Sequence, residues 1–160
     1  MKFKNMISML SVILSIIVLS FISLIVHEFG HYLTAYFFGI TATIEIHLFS
    51  NSSTRINRLP DNVNIYRLFL INGSLFACFF GLALILIDYK IKTDFLVSSG
   101  YSIIIGNCVY WMRVSDEVSD AYLFIATFNS YNYVLHFTII FFILILITFL
   151  FIIYNYEKTD

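Results

Sequence analysis

Charged residues are scarce in this sequence. Only 12% of its 160 residues are Asp, Glu, Lys or Arg, the net charge is −1, and 60% are hydrophobic. A soluble domain has roughly 25% charged residues and about 45–50% apolar ones. This shortage excludes an ordinary soluble domain and the basic surface that nucleic-acid binding requires. We therefore predict an integral membrane protein that lies in the lipid bilayer and has no nucleic-acid partner.

Cysteine and proline are also rare. The two cysteines, Cys78 and Cys108, lie in apolar runs and form no CxxC pair, which excludes a zinc ribbon and favours buried, unpaired side chains. The only proline, Pro60, falls in a polar segment at 51–62 that we interpret as a loop. The length suits one domain, which we place at 1–160.

Four apolar runs approach or reach the roughly 20 residues that cross a bilayer as a helix. Lys2 and Lys4 precede the first run as in a signal peptide, but the run is too long and lacks a small-residue cleavage site, so we expect it to be retained. The predicted fold is an all-α, multi-pass membrane protein with about four transmembrane helices. The runs are Met6–Phe38, Leu68–Ile87, Phe95–Met112 and Val134–Tyr154.

A β segment is predicted after the first run. Residues 40–49, ITATIEIHLF, alternate apolar and more polar side chains with a period of two, the pattern of a half-buried strand. His47, in this segment, is interpreted as a strand residue on the solvent side. We expect a small, membrane-associated β segment here.

The chemistry is concentrated in HEFGH, residues 27–31, at the end of the first run. Residues four apart lie on one face of a helix, so His27 and His31 can bind one metal ion. Glu28 lies beside them and can act as general base on a water at the metal, the arrangement of zinc hydrolases. The competing interpretation is a chance match among polar residues at a helix end. Three ionisable groups in five apolar-flanked residues are costly in a membrane, which favours the metal site.

With these residues in place, the chain resembles the site-2 protease family of intramembrane zinc metalloproteases. HEFGH is the specific motif, and the resemblance extends over roughly residues 20–125. In that family the third zinc ligand is an aspartate, usually in an Asp-Gly pair. This chain has no Asp-Gly but carries VSDEVSDAYLF, so the resemblance implies an aspartate ligand in this segment. We predict Asp120, because the apolar stretch that follows it can pack into the bundle and fix the direction of the carboxylate. Asp116 is the alternative, since its interval from Asn107 is nearer to that of the family.

The resemblance also implies how a substrate binds. A protease needs an extended substrate, and a strand edge can supply one by β-augmentation, which makes Ile44 a candidate substrate-binding residue. Asn107 corresponds to an asparagine that precedes the family's aspartate, and is a second candidate. Asn72 is interpreted instead as a hydrogen-bonding residue between helices.

The predicted function is hydrolysis of peptide bonds within or next to membrane segments, with zinc as cofactor and a membrane-anchored peptide or protein as substrate. Two alternatives stay open. A non-catalytic relative could keep the fold and bind a partner in a regulatory or immunity role, and a metal transporter could use the same side chains along a path.

Overall fold

The computed structural model describes residues 2–47, 52–91, 95–112, 119–128, 138, 141–142, 144–146 and 148–149. These residues are mostly helical, with one small sheet. The elements are α1 (Lys2–Phe37), β1 (Ala42–Glu45), β2 (Ser53–Ile56), α2 (Val63–Ile91), α3 (Phe95–Met112) and α4 (Asp120–Ala126).

The chain divides into two compact units, Met1–Ile103 and Ile104–Asp160. The first unit contains α1, the two strands, α2 and the beginning of α3. The second contains the remainder of α3 and α4. The assignment of 1–160 to a single domain stays a prediction.

Among the described residues, two helices are long and apolar enough to cross a membrane, judged by length and composition: Ile13–Phe37 in α1 and Val63–Ile91 in α2. At 1.5 Å per residue the first is about 38 Å long, which exceeds a hydrocarbon core of about 30 Å. The third apolar run forms α3 with the predicted bounds, but α3 is shorter than the two helices that could cross a membrane. Most of the fourth run, 134–154, lies outside the described residues. The total of about four spans stays a prediction.

Helix α1 has its apolar and polar faces reversed relative to a soluble helix. Ile13, Leu14, Ile17, Val18, Ile22 and Ile25 are exposed. Ser23, His31 and Thr34 are buried. A lipid environment favours exposed apolar and buried polar side chains, so the surface of α1 suits the bilayer. The polar face of α1 contacts other parts of the protein.

A glycine ends α1 and redirects the chain into the sheet. Gly39 has φ +66°, the left-handed conformation that glycine adopts without strain after a helix. The N–H of Ile40 then donates to the Ala35 carbonyl at 2.8 Å. This turn places β1 directly after the helix that carries HEFGH.

The two strands form an antiparallel hairpin in which Ile44 lies opposite Thr54. The predicted strand within 40–49 is confirmed for Ala42–Glu45. The interpretation of 51–62 as a loop is wrong for Ser53–Ile56, which is β2. This four-residue segment contains a single apolar residue, so its sequence lacks the hydrophobic alternation of a strand, and pairing with β1 supplies the order instead.

In the second unit, a short helix follows the acidic segment. Ser119 caps α4 by accepting a hydrogen bond from the Tyr122 N–H at 3.1 Å. The Phe124 ring packs edge-on against Trp111, with centroids 5.5 Å apart. These contacts fix the first turn of α4, where Asp120 lies.

Candidate metal centre

The two histidines of HEFGH converge at the end of α1. The Nε2 atoms of His27 and His31 are 3.1 Å apart. Two imidazole nitrogens that each lie about 2.0–2.1 Å from a tetrahedral zinc ion are separated by about 3.3 Å. The histidine pair therefore has nearly the spacing that one zinc ion requires.

A backbone carbonyl orients His31. Its Nδ1–H donates to the Phe69 carbonyl on α2 at 2.6 Å, and the His31 side chain is buried. A proton on Nδ1 leaves the Nε2 lone pair available for a metal. Such outer contacts set the tautomer and ring direction of metal-binding histidines.

Two glycines allow α1 and α2 to approach closely at this point. A Cβ on Gly30, within HEFGH, would come 2.5 Å from the Asn72 carbonyl oxygen and 3.0 Å from the Phe76 Cβ. A Cβ on Gly73 would overlap the His31 ring, 2.6 Å from Cε1 and 2.7 Å from Cδ2. The His31 ring therefore occupies the space that the missing Gly73 side chain leaves.

Gly73→Ala is expected to weaken metal binding by about 10–100-fold, the usual effect of disturbing the support of a metal ligand. The added methyl group would push the His31 ring away from His27. Metal affinity of purified protein measures the effect. Gly106→Ala is the matched control, because a Cβ at Gly106 meets nothing within 4 Å. Equal loss in both variants, or none in Gly73→Ala, would contradict the packing argument.

A polar chain joins the two helices next to the histidines. The Asn72 amide donates to Thr34 Oγ1 at 2.6 Å, and the Thr34 hydroxyl donates to the Gly30 carbonyl at 3.0 Å. This confirms the prediction that Asn72 makes an interhelical hydrogen bond. These two hydrogen bonds satisfy polar groups that would be costly to leave unpaired in an apolar surrounding.

Glu28 is buried, with 4% of its surface exposed, and it contacts the hairpin. Thr54 Oγ1 lies 2.8 Å from Glu28 Oε2 and 2.9 Å from the Glu28 carbonyl oxygen. Sequence reasoning missed Thr54, which lies in the segment interpreted as a loop. No signal in the sequence connects it with HEFGH.

The predicted third ligand, Asp120, lies in the first turn of α4, in the second unit. Two imidazoles and a carboxylate are a donor set that suits zinc. The alternative ligand, Asp116, lies outside the described residues.

Both candidate substrate-binding residues lie in described elements, and their roles stay predictions. Ile44 lies in β1, opposite Thr54. Asn107 lies in α3 and is half-buried.

Comparison of the chain with protein-family models, with curated proteins and with solved structures finds no match.

Proposed function

We propose that this protein is an intramembrane zinc metalloprotease of the site-2 type, which hydrolyses peptide bonds within or next to membrane segments. The observation that carries the proposal is the 3.1 Å separation of His27 Nε2 and His31 Nε2 beside the buried Glu28, on an apolar helix long enough to cross a membrane. Ionisable groups in such helices are costly to bury in the membrane, and a catalytic role would explain why they are retained.

The ligand set proposed for zinc is His27 and His31 through Nε2, with Asp120 through a carboxylate oxygen. Three protein ligands leave a position open, as in catalytic rather than structural zinc sites. Zinc, when bound, lowers the pKa of a water molecule to about 7 and polarises a carbonyl group.

Glu28 is proposed to move the protons. Its carboxylate accepts a proton from the attacking water as the water oxygen bonds to the scissile carbonyl carbon. Glu28 then returns that proton to the amide nitrogen as the carbon–nitrogen bond breaks. The products are a carboxylic acid at one new terminus, which loses its proton to the new amine or to solvent, and an amine at the other, and Glu28 ends in its starting state.

The hairpin is proposed to present the substrate in an extended form. A helical peptide bond is shielded by its own hydrogen bonds, so cleavage within a membrane segment requires local unwinding. Among the described residues the sheet has two strands, so each strand has one edge without a strand neighbour. A substrate strand could add there by β-augmentation next to Ile44, with Asn107 as a further contact.

Zinc content tests the proposal directly. Purified wild-type protein is expected to hold about one zinc ion per chain and to cleave a membrane-anchored substrate, because the three ligands form a single site. His27→Ala should lose both the zinc and the cleavage. His47→Ala is the matched control, since His47 is exposed beyond β1 and should retain both.

The remaining outcomes discriminate between functions. A folded protein without zinc after mild extraction would contradict the metal centre. Zinc binding without cleavage of any membrane-anchored substrate would favour a non-catalytic binding protein, and zinc flux across vesicles would favour a transporter.

A further inference from the structure

We infer that Thr54 is a positioning residue for Glu28, and that it connects the β hairpin to the proposed general base. The inference rests on the proposed protease function. Its structural basis is the approach of Thr54 Oγ1 to Glu28 Oε2 at 2.8 Å, in a part of the chain 26 residues away.

The contact joins three elements at one point. Glu28 is on α1, Thr54 is on β2, and Ile44 faces Thr54 across the sheet from β1. A substrate strand that adds to the outer edge of β2 would therefore lie about one strand spacing from Thr54. A substrate strand that adds to the outer edge of β1 would lie about two strand spacings from Thr54. Strand spacing is about 4.8 Å.

The hydroxyl fixes one of the two carboxylate oxygens. Thr54 has a single proton, which it can donate to Glu28 Oε2, and a hydrogen bond to a charged acceptor is among the stronger ones. With Oε2 held in this way, Oε1 remains as the oxygen that accepts the proton of the attacking water. A carboxylate free to rotate would spend time in orientations that cannot accept the proton.

A purely structural role for the same hydroxyl has different consequences. Thr54 Oγ1 also lies 2.9 Å from the Glu28 carbonyl oxygen, a contact that would only tether the hairpin to α1. Loss of a tether would disturb folding, zinc binding or substrate affinity. Loss of a positioning contact would lower the catalytic rate while zinc content and KM stay unchanged.

Thr54→Val removes the hydroxyl while it keeps the shape and the β-branching. With zinc-loaded full-length protein and a membrane-anchored peptide substrate, kcat is expected to fall about 10–100-fold, since small errors in the placement of a catalytic group have effects of this size. Zinc content and KM should stay within about 2-fold of wild type. Thr54→Ser, which restores the hydroxyl, should recover most of kcat.

Thr43→Val is the matched control. Thr43 lies on β1 of the same hairpin, opposite Arg55, and is exposed. Its kcat should match that of wild type. Wild-type kcat in Thr54→Val, failure of Thr54→Ser to recover activity, or loss of zinc from Thr54→Val would each overturn the positioning role.

A thermal cycle separates failure of this inference from failure of the protease proposal. If the wild-type protein cleaves no substrate, the protease proposal falls, and the melting temperatures of Thr54→Val, Glu28→Ala and the double variant still decide whether Thr54 engages the Glu28 side chain. Non-additivity of about 2–4 °C supports the contact. Additive shifts would overturn it.

Discussion

Glu28→Gln is expected to lower kcat for cleavage of a membrane-anchored substrate by about 10²–10⁴-fold, the range that general-base catalysis contributes. The amide is neutral and does not accept a proton from water near pH 7. Zinc content should not change, because Glu28 is the proposed base and is outside the proposed ligand set. Cleavage rate and zinc content of the same preparation measure the two effects.

The Gln variant should also fold normally. Gln has nearly the shape of Glu, and its amide oxygen can accept the hydrogen bond that Thr54 donates to Oε2. Replacement by Gln removes a buried carboxylate without leaving a cavity. The loss of activity would then come from proton transfer rather than from misfolding.

Glu45→Gln is the matched control for this substitution. Glu45 lies at the end of β1, is partly exposed, and pairs with Arg55 at 3.0 Å. Surface ion pairs of this kind contribute little to stability, about 0–1 kcal/mol. Wild-type cleavage by Glu28→Gln would exclude Glu28 as the base, whereas loss of activity in both variants would point to a general effect of charge near the hairpin.

Asp120→Ala is expected to lose both zinc and proteolytic activity. Without the carboxylate, two imidazoles alone would remain from a set of three ligands, and catalytic zinc sites normally use three. Zinc analysis after size-exclusion chromatography, together with the cleavage assay, measures the loss. Asp120→Asn should show a similar loss, because an amide oxygen is a weaker ligand than a carboxylate.

Local unfolding would not account for this loss. Asp120 is in the first turn of α4, where a negative charge stabilises the helix by about 0.3–1 kcal/mol. The cap from Ser119 and the packing of Phe124 against Trp111 do not involve the Asp120 carboxylate. The variant should therefore keep its helical content in detergent.

Asp116→Ala provides the discriminating comparison. It removes the other carboxylate that the resemblance to site-2 proteases allows, and it should retain zinc and activity. Loss of zinc in Asp116→Ala, with retention in Asp120→Ala, would transfer the ligand role to Asp116 and leave the roles of His27, His31 and Glu28 as proposed.

The sequence by itself determined the local features of this protein. The four-residue spacing of His27 and His31 requires one helical face, and the pair does converge. The apolar run around HEFGH predicted a long helix, and the alternation at 40–49 predicted the strand that forms at Ala42–Glu45. Each of these depends on periodicity within a short segment, which a single sequence records directly.

Only the tertiary structure decided what surrounds the histidines and the glutamate. Phe69 acts through its backbone carbonyl, which every residue type has, and Gly73 acts through the absence of a side chain. Thr54 lies in a strand with no hydrophobic alternation and reaches Glu28 because β2 pairs with β1 next to α1. Contacts of this kind join residues 26 to 42 positions apart, so they are set by how helices and strands pack and not by any local pattern.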